Sequence, residues 1–66
     1  MRILFSRHAR VRMAERGISA TEVRQAILKG TKRRQDDRIV ASFRYFEVVY
    51  RREDDLVFVI TVQPRW

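Results

Sequence analysis

The pattern of apolar and polar positions changes near residue 30. In the segment before it, Val23, Ala26 and Ile27 form one apolar stripe at helical spacing. After Thr31 the apolar residues alternate with polar ones, as in strands with one buried face. A short apolar run at residues 2–5 suits an edge strand. The pattern predicts an α+β fold in which two N-terminal helices pack on a three- to four-stranded antiparallel sheet.

Capping residues mark the ends of both helices. Ser6 can cap the first helix, and Gly17 can adopt the left-handed conformation that ends it. Ser19 and Glu22 have the spacing of a capping box, in which each side chain bonds the other residue's backbone N–H. Gly30 follows the second helix as its stop. The two helices are therefore expected to form a hairpin with a short joint.

The last two strands are predicted from two sets of even-numbered apolar residues: Phe46, Val48 and Tyr50, then Leu56, Phe58, Ile60 and Val62. Joining both sets on one buried face puts Tyr50 opposite Leu56, and a one-residue slip would turn a whole strand over. The turn then covers residues 52–54, with Asp54 left-handed. Either residues 31–35 or residues 38–41 can supply a further strand, and the sequence does not choose between them.

The predicted register also defines an outer face of this hairpin. It puts Tyr45 opposite Thr61 and Glu47 opposite Val59. Aromatic, hydroxyl and carboxylate groups are mixed with aliphatic ones there. This second face is thus a candidate binding surface or partner interface.

Length and composition narrow the class of protein. Sixty-six residues suffice for one domain, residues 1–66, with a small core. We therefore expect it to pack against a copy of itself, as a homodimer, or against another protein, and Trp66 to cover a core edge or partner surface. The chain has no cysteine and one histidine, so no metal or cofactor is expected. Without a signal-peptide pattern or a membrane-length apolar run, a cytoplasmic protein is expected, with no membrane partner.

The charge points to a polyanionic partner. Fifteen basic residues, 13 of them arginine, oppose eight acidic ones, for a net charge of +7. Arginine's planar guanidinium suits phosphate groups, so RNA is the first partner to consider. An acidic protein partner would satisfy the same charge. A third explanation is a compositional bias of the genome or a heat-adapted surface.

The strongest candidate chemistry lies in the first helix. His8 and Arg12 are four residues apart and share a helix face, which joins a proton carrier to a phosphate-binding cation. His8 could act as either the base or the acid of a proton transfer. Arg16 can extend the phosphate contact, Glu15 can orient an arginine or carry a proton, and Tyr45 can stack on a base or donate a proton.

Simpler roles compete with these. A single histidine beside arginines is often a surface or capping residue, and Arg12, Glu15 and Arg16 form an ordinary solvated ion-pair cluster. Tyr45 can be a packing residue. The candidates for RNA or phosphate binding are Arg7, Arg16, Arg33, Arg34, Arg44 and Thr61.

Residues 8–18 read His-Ala-Arg-Val-Arg-Met-Ala-Glu-Arg-Gly-Ile, and residues 59–62 read Val-Ile-Thr-Val. These motifs resemble a widespread prokaryotic domain of unknown function with the pattern His-Ala-x-x-Arg-Met-x-x-Arg-Gly-Ile. That domain is similar to small toxins of the BrnT and RelE types, which share a RelE/barnase-like architecture. The resemblance implies an RNA endonuclease, ribosome-dependent or free, that a cognate antitoxin inhibits. His8, Arg12, Arg16 and Thr61 are the positions that carry the match.

The sequence thus predicts a small toxin-like protein that is a metal-independent RNA endonuclease or an RNA-binding relative. Such cleavage needs a base for the 2′-hydroxyl, charge stabilisation at phosphorus and an acid for the leaving oxygen. The alternative is a non-catalytic RNA- or protein-binding module in which His8 and Arg12 form only a structural contact.

Overall fold

The computed structural model describes residues 1–65, so the expectation for Trp66 lies outside the described residues. The elements, in chain order, are β1 (Arg2–Phe5), α1 (Arg7–Arg16), α2 (Ala20–Lys29), β2 (Thr31–Gln35), β3 (Arg38–Phe43), β4 (Phe46–Glu53) and β5 (Leu56–Pro64). The predicted α+β class and the two N-terminal helices are confirmed.

The ends of α1 follow its capping chemistry. The Ser6 hydroxyl accepts a hydrogen bond from the Ala9 N–H at 2.9 Å and donates one to the Ile60 carbonyl at 2.6 Å, which ties the start of α1 to β5. Gly17 ends α1 with φ +65°, and the next N–H, that of Ile18, donates to the Met13 carbonyl at 2.9 Å. This is the Schellman ending, in which a left-handed glycine lets the chain turn back on the helix.

The start of α2 is held by the predicted capping box. The Glu22 N–H donates to Ser19 Oγ at 3.1 Å, and the Ser19 N–H donates to Glu22 Oε1 at 3.0 Å. Gly30 is the stop, but its backbone is extended, with φ −69° and ψ 165°. Close packing, and not a left-handed turn, therefore explains why glycine is suited to this position.

Replacing Gly30 with alanine is expected to destabilise the fold by about 1–3 kcal/mol, the usual cost of overpacking. A Cβ at this position would lie 2.5 Å from the Ala26 carbonyl oxygen and 2.7 Å from that of Ser42, so the backbone must move. Urea unfolding followed by circular dichroism measures the loss. Gly17→Ala is the matched comparison, since its Cβ would meet open space and only backbone strain remains. Equal stability of Gly30→Ala and the wild type would contradict the close contact.

The strands form one five-stranded mixed sheet in the order β1-β5-β4-β3-β2. β1 pairs with β5 in parallel, and the other neighbours are antiparallel. The expectation of three or four antiparallel strands was therefore wrong in the count and in the direction of β1, and correct for the pairing of β2 to β5. Both β2 and β3 form where the sequence offered a choice. β1 can run parallel because two helices and three strands separate it from β5, so no hairpin fixes its direction.

The register between β4 and β5 differs from the predicted one. Glu53 opposes Leu56 across a two-residue turn, and Tyr50 opposes Val59 where Leu56 was expected. The prediction of a three-residue turn was also wrong. Asp54 is left-handed as predicted, with φ +54°.

The turn, at residues 54–55 and not 52–54, displaces the pairing of β4 with β5 by three residues, and a β-bulge displaces it by one more. Tyr50 pairs with Val59 but Val49 pairs with Thr61, so Ile60 is the extra residue. Before the bulge the odd-numbered residues of β5 face the helices, and after it an even-numbered one, Val62, does so.

The core lies between the helices and one face of the sheet. Its buried members are Ala9, Ile18, Val23, Ala26, Ile27, Ala41, Phe46, Val48, Tyr50, Val57, Val59 and Val62. α1 packs mainly on β5 and α2 on β3 and β4. Within residues 1–65 no helix covers the opposite face of the sheet, which we call the open face.

Candidate functional site

The predicted pair on α1 faces solvent. His8 is exposed, and its side chain makes no hydrogen bond or ion pair with any other residue of the described chain. Arg12 Nη1 lies 3.9 Å from Glu15 Oε1, and the two side chains are 43% and 58% exposed. This is a loose surface contact that leaves the Arg12 guanidinium able to bind an anion.

A groove lies where α1 ends, between the β3–β4 turn and the end of β5. It has a volume of about 410 Å³ and is lined by Glu15, Arg16, Ile18, Tyr45, Phe46, Pro64 and Arg65. We call it the arginine–tyrosine groove. Ile18 and Phe46 are buried and form its apolar floor.

Tyr45 is held in this groove with its ring accessible. The Arg65 N–H donates to the Tyr45 carbonyl at 3.0 Å, and Arg65 Nη1 reaches the Arg44 carbonyl at 3.4 Å. The Tyr45 ring packs edge-on against Phe46, with centroids 5.4 Å apart, yet the residue is 57% exposed. An exposed ring on a fixed backbone suits stacking against a base.

Two arginines line the same groove as the Tyr45 ring. Arg16 and Arg65 line the groove, and Glu15 is its one acidic residue. Arg44 precedes Tyr45 in the turn, and its guanidinium carbon lies 5.2 Å from the centroid of the Phe43 ring in a cation–π contact. The groove therefore combines a net positive charge with one stacking platform.

The structure brings together three predicted site residues in this groove, Glu15, Arg16 and Tyr45, with Arg44 adjacent in the chain. Arg12 does not line the groove, but its guanidinium lies 3.9 Å from the carboxylate of Glu15, which does. His8 lies one turn before Arg12 on α1. Other predicted residues lie elsewhere. Arg7 begins α1, and Arg34 is on the edge strand β2, opposite Ile39. Arg33 and Thr61 lie on the open face, so the sheet separates them from the helices.

The Thr61 pairing is a further correction. Thr61 opposes Val49, and Tyr45 lies in a turn, so the predicted Tyr45–Thr61 and Glu47–Val59 pairs do not form. The position of the β4–β5 turn displaces them by three residues of β5, and the bulge at Ile60 displaces them by one more. Thr61 instead lines a separate groove of about 460 Å³ on the open face, with residues such as Gln63.

The open face carries a polar cluster centred on Glu47, which is only 9% exposed. Its carboxylate accepts hydrogen bonds from Arg33 Nη1 at 2.9 Å, Ser42 Oγ at 2.8 Å and Gln63 Nε2 at 2.9 Å. We call these four residues, one from each of β2 to β5, the Glu47 cluster. Sequence reasoning missed it. The only sign was a carboxylate between two apolar positions of a strand.

The Glu47 cluster fixes the charge of its central residue. The hydrogen bond from Arg33, then that from Gln63, lowers the pKa of Glu47 to about 2, although burial opposes this. Glu47 is thus ionised at neutral pH and fully hydrogen-bonded, which makes it a poor proton carrier. It also neutralises Arg33, which leaves that side chain less available for phosphate.

Within residues 1–65 no group of three or more histidine, cysteine, aspartate or glutamate side chains could hold a metal ion. Neither helix is long and apolar enough to cross a membrane.

Comparison with known proteins agrees with this fold. A chain of the toxin–antitoxin complex RelBE2 from Mycobacterium tuberculosis matches with a TM-score of 0.70 and 19% identity, over 97% of this chain and 96% of that one. At this identity the match shows a shared fold. No curated protein matches significantly. The family model described as "Domain of unknown function (DUF4258)" matches residues 5–63. Because that match covers nearly the whole length, the chain belongs to this family of domains of unknown function.

Proposed function

We propose that this chain is a small toxin-like protein that binds single-stranded RNA in the arginine–tyrosine groove. The observation that carries the proposal is the exposed Tyr45 ring in a groove that Arg16 and Arg65 also line. Proteins bind single strands by stacking bases on aromatic rings and contacting phosphates with cations. The fold shared with a chain of a toxin–antitoxin complex supports the toxin-like part.

Metal-independent RNA cleavage is the stronger form of this proposal. Arg16, Arg12 and His8 lie on successive turns of α1, about 6 Å apart along its axis. A strand that leaves the groove along α1 would pass Arg12 and bring a phosphodiester to His8. His8 could then take the 2′-hydroxyl proton, so that the 2′-oxygen attacks phosphorus and the 5′-oxygen leaves with a proton from water, while Arg12 stabilises the charge at phosphorus.

A non-catalytic binding module is the second candidate, and the position of His8 favours it. His8 lies outside the groove, and none of residues 1–65 makes a hydrogen bond that would orient its ring. Catalytic histidines are commonly oriented by a third group. On this account the groove binds RNA, on the ribosome or free, without cleaving it. The net charge of +7 also suits an acidic antitoxin as protein partner.

RNA binding is tested by fluorescence anisotropy with a labelled single-stranded RNA in the presence of a chelator. Tyr45→Ala is expected to raise Kd about 5- to 150-fold, the value of one base–aromatic stack. Arg16→Ala should weaken binding and reduce the salt dependence by about one counterion. Arg10→Ala, another exposed arginine of α1 outside the groove, is the control. If Tyr45→Ala binds as tightly as the Arg10 variant, the groove is not the RNA site.

Cleavage separates the two candidates. Wild type, His8→Ala and Arg12→Ala are incubated with RNA, with and without ribosomes, in a chelator. Because general base catalysis contributes about 10²–10⁴-fold, the endonuclease account expects His8→Ala to lose cleavage to that extent while still binding RNA. If the three folded proteins do not differ in RNA cleavage, the endonuclease account is wrong and the binding module remains.

A further inference from the structure

The sheet has two free edges, β1 and β2, and they differ in chemistry. All five residues of β2 are exposed, and three consecutive cations, Lys32, Arg33 and Arg34, occupy its middle. Charged residues of this kind protect an edge strand from pairing with other chains. β1 has no charge among its last three residues, and Leu4 is 45% exposed on the open face. The β1 edge is therefore the unprotected one.

The backbone of β1 is available for pairing. The Arg2 N–H donates to the Asp55 carbonyl and the Ser6 N–H donates to the Val59 carbonyl, each at 2.9 Å. In a parallel ladder alternate residues direct their backbone groups to the same side. Ile3 and Phe5 must therefore point their N–H and carbonyl groups away from β5, towards the free edge.

An open groove lies beside this edge, between β1 and the first turns of α2. It has a volume of about 300 Å³ and is lined by Ile3, Phe5, Ala20, Thr21 and Arg24. The side chains of Ile3 and Phe5 are only half-buried there, although both pack against the core. Arg24 is exposed and forms no ion pair within residues 1–65. We call this space the β1 groove.

We infer that the β1 edge binds an extended, acidic segment of a partner protein, which adds to the sheet as a sixth strand. Backbone hydrogen bonds to Ile3 and Phe5 would supply affinity, and alternate side chains would supply specificity. Apolar side chains of the partner would fill the β1 groove on one face and cover Leu4 on the other. A carboxylate of the partner would meet the unpaired Arg24.

Charge and burial together select this occupant. A second copy of this chain carries the same net charge of +7, so two copies repel each other. An acidic strand that bound β2 would form mainly exposed ion pairs, which contribute little free energy because solvent screens them. β2 also has no apolar side chain that such a strand could bury. The inference is independent of RNA binding, since the β1 groove and the arginine–tyrosine groove share no residue.

The test uses the full chain and a ten-residue peptide in which valine alternates with threonine and aspartate. Nuclear magnetic resonance follows amide exchange while the peptide is added. The Ile3 and Phe5 amides are expected to exchange at least about tenfold more slowly as they become hydrogen-bonded. Leu4→Lys should weaken binding about tenfold or more, because it places a charge on the edge. Leu28→Lys is the control, since Leu28 is 58% exposed on α2.

A charge exchange tests the role of Arg24. Arg24→Glu should weaken binding of the aspartate peptide and strengthen binding of a peptide with lysine in its place. Equal affinity of wild type for both peptides would overturn the acidic partner. Protection at the β2 amides, or no protection at all, would overturn the choice of edge. Protection of Ile3 and Phe5 that grows with protein concentration in the absence of peptide would show that a second copy occupies the edge.

Discussion

Replacing Phe46 with alanine is expected to lower the free energy of unfolding by about 3–5 kcal/mol. Phe46 is fully buried, and its ring meets Phe43 and Tyr45 edge-on, with centroids 6.2 Å and 5.4 Å away. Alanine would remove the ring from the middle of a small core and leave a cavity. A core of this size rarely supplies more than about 3–5 kcal/mol in total, so the variant should be largely unfolded at 25 °C.

Urea unfolding followed by circular dichroism measures this effect. Val11→Ala is the matched control, because Val11 is 49% exposed and its loss should change stability by less than about 0.5 kcal/mol. A loss below about 1 kcal/mol for Phe46→Ala would show that the ring is not packed as described. Phe46 also forms part of the floor of the arginine–tyrosine groove, so RNA binding must be compared only among folded variants.

Acid is expected to destabilise the protein through Glu47. Folding lowers the pKa of this carboxyl from 4.5 to about 2, so the folded state favours its ionised form. The resulting stability is complete above pH 4.5 and is lost as the pH falls from 4.5 towards 2. Because the paired Arg33 side chain is 55% exposed, solvent screening limits the loss to on the order of 1–2 kcal/mol.

Glu47→Gln isolates this contribution. The amide keeps the shape of the side chain but loses the ion pair with Arg33, so the variant should be less stable than wild type at pH 7. Its stability should also depend less on pH between 4.5 and 2. Glu15→Gln is the control, since Glu15 is exposed and makes only a 3.9 Å contact. Identical pH profiles for wild type and Glu47→Gln would contradict the proposed cause.

The helices could be predicted because their signals are local. Ser6 and Gly17 bound α1, and the Ser19–Glu22 pair starts α2, through contacts within a few residues of the chain. Such short-range chemistry can be read without knowing the fold. The role of Gly30 could not be predicted in this way, because the Ser42 carbonyl that approaches it belongs to a strand distant in the sequence.

The sheet was harder because both faces of β5 carry apolar residues. Alternation alone cannot choose between Leu56 and Phe58 on one side and Val57 and Val59 on the other. The bulge at Ile60 then changes the alternation within the strand. The bulge depends on how β5 pairs with β4, and no residue near Ile60 is of a type that predicts a bulge.

The candidate site shows the same division. The α1 residues Glu15 and Arg16 were found from their helical spacing, but their proximity to Tyr45 and Arg65 depends on how the β3–β4 turn meets the end of β5. The Glu47 cluster draws on four strands, so its partners could be identified only once the register was known.

The parallel pairing of β1 with β5 has a kinetic consequence. β2 to β5 are consecutive hairpins that close short loops, whereas Arg2 pairs with Leu56, more than fifty residues later. Contacts between distant parts of a chain cost more loop entropy and form more slowly. The first strand to be synthesised is therefore expected to be the last to join the sheet.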